Sequence, residues 1–207
     1  MPMELLAKLL GGYERVKIMR FFLHQSEKVI DPHTLAIITK SKLPLTSKEL
    51  SLLTSIGFLE KKRGKITIPV GKKKEMKTKE GVIYSLCKEF PHNEALKELL
   101  FDFKNLDKKE IASRFREVGR IKLFVLAGVF VESEKFRVDI LIVGEALNKV
   151  KSDKVLDALS AELGRSLLIS MMDTEEYEYR LKMYDKFVGD IFTMNHEVVI
   201  DKLSRGF

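Results

Sequence analysis

The residues in this chain that could carry out catalysis centre on Asp139, which precedes the apolar run 140–143. Residues two apart on a β-strand share a face, so two carboxylates at positions 137 and 139 could together hold two magnesium ions for phosphoryl transfer. Position 137 is an arginine. A guanidinium beside Asp139 would form a salt bridge with the carboxylate and repel a divalent cation. Arg137 and Asp139 therefore predict a strand that cannot run two-metal chemistry.

Neighbouring acids do not complete a metal site in the sequence. Glu132 and Glu134 could act as substitute ligands, but they flank Ser133 in a polar turn, and a solvated turn is the favoured interpretation. Asp173 is better explained as the N-cap of a helix. The single cysteine, Cys87, excludes a thiolate metal cage and a disulfide within one chain. We expect no catalytic residue, no metal ion and no cofactor.

The distribution of charge indicates a polyanion as partner. The net charge is +7, with 22 Lys/Arg against 13 Asp/Glu in residues 1–109 and 15 against 17 in residues 110–207. Residues 61–79 alone contain nine basic residues and one acid. Such a block favours nucleic acid or an anionic membrane face, the alternative being a lysine-rich loop that only aids solubility. Because no stretch approaches about 18 uninterrupted apolar residues, we expect no membrane span and a cytoplasmic protein.

The N-terminal half carries the signals of three helices followed by a hairpin. Residues 13–23 place apolar side chains at helical spacing, Asp31-Pro32 starts a second helix, and residues 46–49 form a capping box that starts a third. Two short strands are predicted around Arg63-Gly64, with a basic loop over residues 71–79. Three helices followed by a hairpin is the layout of a winged-helix domain.

This layout predicts which residues contact double-stranded DNA. In a winged-helix domain the third helix enters the major groove, while the hairpin, or wing, lies along phosphates or the minor groove. Hydroxyl side chains can contact phosphates or base edges, and basic side chains suit sequence-independent phosphate contacts. We favour DNA over the alternative of a module that serves only protein interaction or dimerisation. The predicted DNA-binding residues are Ser47, Lys48, Ser51, Lys61, Lys62, Arg63, Lys65, Lys72, Lys73 and Lys74.

A second domain is predicted from residue 105 onward. Strands over residues 121–131, 136–143, 166–172 and 197–200 alternate with helices, one of them capped by Ser152. A further long helix is predicted from Asp173 to Ile191. The expected fold class is therefore α+β: an N-terminal winged helix-turn-helix domain in residues 1–104, and a small α/β domain with a mixed sheet in residues 105–207.

The second domain resembles the minimal nucleotidyltransferases. In that family Gly-Ser ends the first strand and an Asp-x-Asp pair opens the second. Here Gly128 matches the glycine, but Val129 replaces the serine; Asp139 matches the second aspartate, but Arg137 replaces the first. The resemblance implies a nucleotidyltransferase-like fold with a degenerate site at Gly128, Arg137 and Asp139, and hence no enzyme.

Both halves together resemble a family of bacterial winged-helix transcriptional regulators fused to a degenerate nucleotidyltransferase-like domain. This resemblance implies DNA binding and regulation, with the C-terminal domain as an interaction, dimerisation or sensing scaffold. An active magnesium-dependent nucleotidyltransferase and an antitoxin-like interaction module remain alternatives. A homodimer, and a protein partner bound through the C-terminal domain, also remain open. The residues that carry the resemblance are 81–91, 95–100, 126–130, 138–144, 163–165 and 175–180.

Overall fold

The computed structural model of the protein describes residues 3–70, 75–102, 106–131 and 137–203, with the backbone alone for 67–70 and 75–79. The chain divides into two compact units. The N-terminal unit comprises Met3–Phe101 with Ala161–Arg165, and the C-terminal unit comprises Asp102–Ser160 with the residues from Ser166 onward. Each unit combines helices with strands, so the expected mixed α+β character is confirmed. Lys72, Lys73, Lys74, Glu132 and Glu134 lie outside the described residues.

The N-terminal unit consists of helices around a long hairpin. Ile30, between the second and third helices, forms an antiparallel bridge with Tyr84 of the hairpin, with N–O distances of 3.0 and 2.8 Å. This bridge ties the helices to the base of the hairpin. The elements are α1 (Met3–Leu10), α2 (Tyr13–His24), α3 (Pro32–Ile38), α4 (Leu43–Ser55), β1 (Leu59–Val70), β2 (Glu75–Leu86) and α5 (Asn93–Phe101).

The core of the N-terminal unit forms around α2, which buries both apolar side chains and one charge. Its fully buried residues include Val16, Ile18 and Phe22. Arg20 is only 1% exposed, and its Nε donates to the carbonyl of Leu100 in the last turn of α5 at 2.9 Å. Burial lowers the pKa of Arg20 to about 10, so the guanidinium stays protonated at neutral pH. A cation at that position complements the partial negative charge of a helix C-terminus.

The start of α4 differs from the expected capping box. The helix begins at Leu43, because Pro44 suits the first turn of a helix, and this places Thr46 inside the helix. The buried Thr46 hydroxyl donates to the carbonyl of Lys42, and Glu49 pairs with Arg15 at 2.7 Å. The prediction of a capping box at residues 46–49 is therefore wrong by one helical turn.

The expected hairpin turn at Arg63-Gly64 is also wrong. β1 runs without interruption through both residues and pairs antiparallel with β2, with Gly64 opposite Gly81. A Cβ on Gly64 would overlap Cδ1 of Ile83, and a Cβ on Gly81 would overlap Cδ1 of Ile66. The glycines make room for two isoleucines that cross the hairpin, so they mark close packing in a strand and not a reversal of the chain.

The C-terminal unit is built on a four-stranded sheet in the order β5-β4-β3-β6. β3 pairs antiparallel with β4 and β6, while β4 and β5 are parallel, which confirms the expected mixed sheet. Buried residues of α8 and α9, such as Tyr177, Val188 and Ile191, pack with Leu123 and Leu141 of the sheet. The elements are α6 (Lys108–Arg114), β3 (Arg120–Leu126), β4 (Ile140–Glu145), α7 (Lys149–Leu163), β5 (Ile169–Asp173), α8 (Thr174–Lys182), α9 (Lys186–Thr193) and β6 (Glu197–Asp201).

Two helix predictions in this unit need correction. α7 begins three residues before Ser152, which is buried inside the helix, and the side chain of Asn148 accepts from the N–H of Lys151 at 3.0 Å instead. The long helix predicted from Asp173 is divided in two at Tyr184, whose φ of 52° lies in the left-handed region. The cap at Asp173 is confirmed, since its carboxylate accepts from the N–H of Glu176 at 2.7 Å.

The predicted strand over 121–131 ends early. β3 stops at Leu126, and Gly128–Val131 forms a 3-10 turn. Gly128 has a φ of 49°, a left-handed conformation that interrupts a strand.

The helix cap at the start of α3, formed by Asp31, can be tested by substitution. Its carboxylate accepts from the N–H groups of His33 and Thr34 at 2.9 and 3.1 Å. Asp31→Ala removes this cap and should lower the free energy of unfolding by about 1 kcal/mol in urea denaturation. Asp31→Asn keeps an acceptor oxygen and should lose less. Equal stability of the alanine variant and the native protein would contradict the assignment.

Candidate functional site

Asp139 links three segments of the C-terminal unit through all of its polar groups. Its carboxylate oxygens accept from the backbone N–H groups of Val129, at 3.0 Å, and Leu168, at 2.8 Å. Its own N–H donates to the carbonyl of Leu168 at 2.7 Å, and its carbonyl accepts from the N–H of Ala127 at 2.9 Å. The residue is only 6% exposed. The oxygens that a divalent cation would bind already accept hydrogen bonds from backbone amides.

Gly128 lies against this carboxylate. A Cβ at Gly128 would overlap Oδ1 of Asp139, so no other residue fits there without moving the aspartate. The structure therefore brings together two of the three residues in the predicted degenerate site. Their contact packs the turn after β3 against Asp139, whose carboxylate accepts from the N–H of Val129 in that turn.

Arg137 does not join them. The expected salt bridge with Asp139 is wrong, because the carboxylate is held by two amides while Arg137 is exposed. Arg137 instead lines a pocket of about 180 Å³ with Lys186 and Asp190 of α9. Asp173, the last residue of β5, caps α8. No second carboxylate from the described residues hydrogen-bonds within the Asp139 cluster.

The second candidate site is one face of the hairpin. Since side chains alternate across a strand, Lys61, Arg63 and Lys65 point to the same face of β1, with successive members about 6.6 Å apart. All three are exposed. Within the part of the chain whose side chains are described, none of the three forms an ion pair. We call these three residues the basic row.

Lys62 is separated from the basic row by this alternation. It points to the opposite face and forms an ion pair with Glu60 at 2.9 Å. The hydrogen bond that Lys62 donates to Glu60 raises the pKa of Lys62. Sequence reasoning grouped Lys62 with its neighbours because it expected a turn at Arg63-Gly64. The alternation of a continuous strand would have separated them.

The third predicted group lies on α4. Ser47, Lys48 and Ser51 are exposed, while Leu50 and Leu53 of the same helix are fully buried. The hydroxyls further along the helix bond back to it: Thr54 donates to the carbonyl of Leu50, and Ser55 donates to that of Leu52. The exposed side chains of Ser47, Lys48 and Ser51 thus precede the two residues whose hydroxyls bond back to the helix.

One further cluster of potential metal ligands lies at the base of the hairpin. Donor atoms of Glu60, Cys87 and Glu89 lie within 4.8 Å of one another. Glu60 is already paired with Lys62. We assign no metal to this cluster.

Comparison with known proteins does not place the chain in a family. No family model, no curated protein and no solved structure matches it. Among the helices of the described ranges, none is both long enough and apolar enough to cross a membrane.

Asp139 can be tested as a structural residue. Asp139→Ala leaves the N–H groups of Val129, which is buried, and of Leu168 without their acceptors, and should lower the free energy of unfolding by roughly 2–4 kcal/mol. Asp153→Ala, at an exposed position of α7, is the matched control and should stay within about 0.5 kcal/mol of the native protein. Chemical denaturation monitored by circular dichroism measures both.

A magnesium titration distinguishes a structural aspartate from a metal ligand. The melting temperature of the native protein should not respond specifically to Mg²⁺. If Mg²⁺ stabilised the native protein but not Asp139→Asn, or supported nucleotide transfer that this variant loses, Asp139 would be a metal ligand and the structural assignment would be wrong.

Proposed function

We propose that this protein is a DNA-binding transcriptional regulator whose N-terminal unit is a winged helix-turn-helix domain. The observation that carries the proposal is the basic row, which presents Lys61, Arg63 and Lys65 on one face of a hairpin that follows helices α2, α3 and α4. Regularly spaced, solvated cations on a rigid strand suit the regularly spaced phosphates of a nucleic-acid backbone.

The order and connections of the elements support the winged-helix assignment. α3 and α4 are joined by four residues, a length typical of the turn in a helix-turn-helix. The Ile30–Tyr84 bridge adds one bridged residue to the edge of the hairpin near its base. In this arrangement α4 takes the place of the recognition helix, and the hairpin takes the place of the wing.

The chemistry of the two elements assigns them different roles. The basic row supplies affinity, because phosphate contacts depend on charge and not on sequence. α4 presents Ser47, Lys48 and Ser51, which can bond to phosphates or to base edges. Neither arginine nor asparagine occurs in α4, so the strongest bidentate base contacts are absent from this helix. We infer that a single chain gains affinity from phosphate contacts but gains little sequence selectivity from base contacts. A homodimer bound to two half-sites would therefore be the more selective form.

The C-terminal unit, in this proposal, is a nucleotidyltransferase-like scaffold without catalytic activity. Two observations support this: both carboxylate oxygens of Asp139 accept from backbone amides, and Arg137 is exposed to solvent. Such a unit would serve interaction, dimerisation or ligand sensing. It would act together with the DNA-bound N-terminal unit, which agrees with the expected cytoplasmic location.

The basic row is tested by single substitutions that each remove one charge. Lys61→Gln, Arg63→Gln and Lys65→Gln should each lower the slope of log affinity against log salt by about 0.9 for a labelled duplex. Fluorescence anisotropy across about 50 to 200 mM salt measures this slope.

Lys62→Gln is the matched control for these variants. It removes the same charge from the opposite face, where Glu60 already neutralises it, and should leave the slope nearly unchanged. A loss equal to that of the basic row would mean that binding follows net charge alone. Absence of duplex binding by the native protein would refute the proposed function.

The role of α4 is tested by adding a negative charge to its exposed face. Ser51→Glu should weaken duplex binding by at least about tenfold, because a carboxylate facing phosphates costs more than 1.4 kcal/mol. Ala95→Glu adds the same charge at an exposed position of α5 and should change the affinity much less. Equal effects of the two variants would exclude α4 from the interface.

A further inference from the structure

A basic groove in the C-terminal unit lies apart from the degenerate site. It has a volume of about 660 Å³ and runs between the end of α6, the loop that follows it and the first turns of α7. We call it the α6–α7 groove. Its polar lining consists of Ser113, Arg114, Arg116, Glu117, Lys151 and Lys154.

The groove and the degenerate site occupy opposite ends of β3. Val118, which lines the groove, precedes the first residue of β3, whereas Gly128 follows its last residue. The Asp139 cluster therefore contributes nothing to the groove.

The two walls of the groove are held in fixed positions. The N–H of Asn148, which caps α7, donates to the carbonyl of Val118 at 2.7 Å. A Cβ on Gly119 would meet the carbonyl oxygens of Glu145 and Ala146 at 2.9 and 2.8 Å, so the loop lies directly against the turn before α7. Lys151 and Lys154 are three residues apart and share one face of α7. The cations of the two walls thus converge on the same space.

The charges in the groove are strongly unbalanced. Four cations face it, with Glu117 as the acid among its lining residues. Arg114 pairs with Glu110 at 2.8 Å. Arg116, Lys151 and Lys154 have no ion pair with any residue that the structure describes. Three cations without an ion pair, against Glu117 as the acid in the lining, favour an anionic ligand.

The composition of the lining narrows the class of ligand. Among the described residues that line the groove there is no aromatic side chain, so it lacks the aromatic platforms on which nucleobases usually stack. Guanidinium and ammonium groups instead match phosphate oxygens. We propose that the α6–α7 groove binds phosphates of the DNA backbone and gives the protein a second, sequence-independent contact. This inference rests on the proposed function of the N-terminal unit.

The test uses the full-length protein with the groove cations removed. Arg116→Gln/Lys151→Gln/Lys154→Gln should lower the salt slope of duplex binding by roughly two to three, since each phosphate contact contributes about 0.9. Lys182→Gln/Lys186→Gln/Lys202→Gln removes the same charge from exposed positions elsewhere in the C-terminal unit and should change the slope by less than about one. Lys151→Gln alone repeats the measurement with the smallest structural change, and its expected loss is about 0.9.

The outcomes separate this inference from the proposed function. If the basic-row variants weaken binding while the groove variant behaves like its control, the groove inference is overturned and the proposed function stands. If the native protein binds no duplex, both are overturned. Inorganic tripolyphosphate serves as a second probe: a groove variant that loses tripolyphosphate but binds duplex normally would show a site for free polyphosphate, which overturns the DNA contact.

Discussion

The C-terminal unit depends on the way in which one buried carboxylate is satisfied. Asp139 joins the turn after β3, the start of β4 and the segment before β5, and each hydrogen bond to an ionised group contributes about 1.5–3 kcal/mol. The parallel pairing of β4 with β5 begins at the next residue, Ile140 opposite Ile169. In this position, folding and metal binding compete for the same two oxygens. In this chain both oxygens hold together the corner at which the three segments meet.

The N-terminal unit combines a buried charge with a row of exposed charges, and the two act differently. Arg20 is enclosed and bonded to the carbonyl of Leu100, so its charge stabilises the end of a helix. Lys61, Arg63 and Lys65 stand on a strand in water, where a charge contributes little to folding and is available to a partner. The role of each cation therefore depends more on whether its side chain is buried or exposed than on the total charge of the chain.

Local signals in the sequence predicted the caps at Asp31 and Asp173 but misplaced the starts of α4 and α7, and long-range features were predicted poorly. The caps at Asp31 and Asp173 each depend on a side chain and the next two or three amides, and both are confirmed. Arg63-Gly64 has the composition of a turn, yet Gly64 pairs with Gly81 and makes room for Ile83, which no local window reveals. The same holds for Asp139, whose partner Leu168 lies 29 residues away. The two-residue spacing of Arg137 and Asp139 suggested a salt bridge, whereas in the structure the Asp139 carboxylate accepts from two backbone amides.

The facing glycines of the hairpin restrict how this protein can vary. Because side chains alternate with a period of two, a shift of one residue between β1 and β2 would exchange the two faces. Ile66 and Ile83 fit only over Gly81 and Gly64, so the two strands have one register. The last member of the basic row is Lys65, so changes in length beyond Ile66 leave the row in place. Between the glycine pair and the base of the hairpin, inserting or deleting one residue would move side chains of the basic row to the opposite face. Only insertions or deletions of an even number of residues there keep the row on one face.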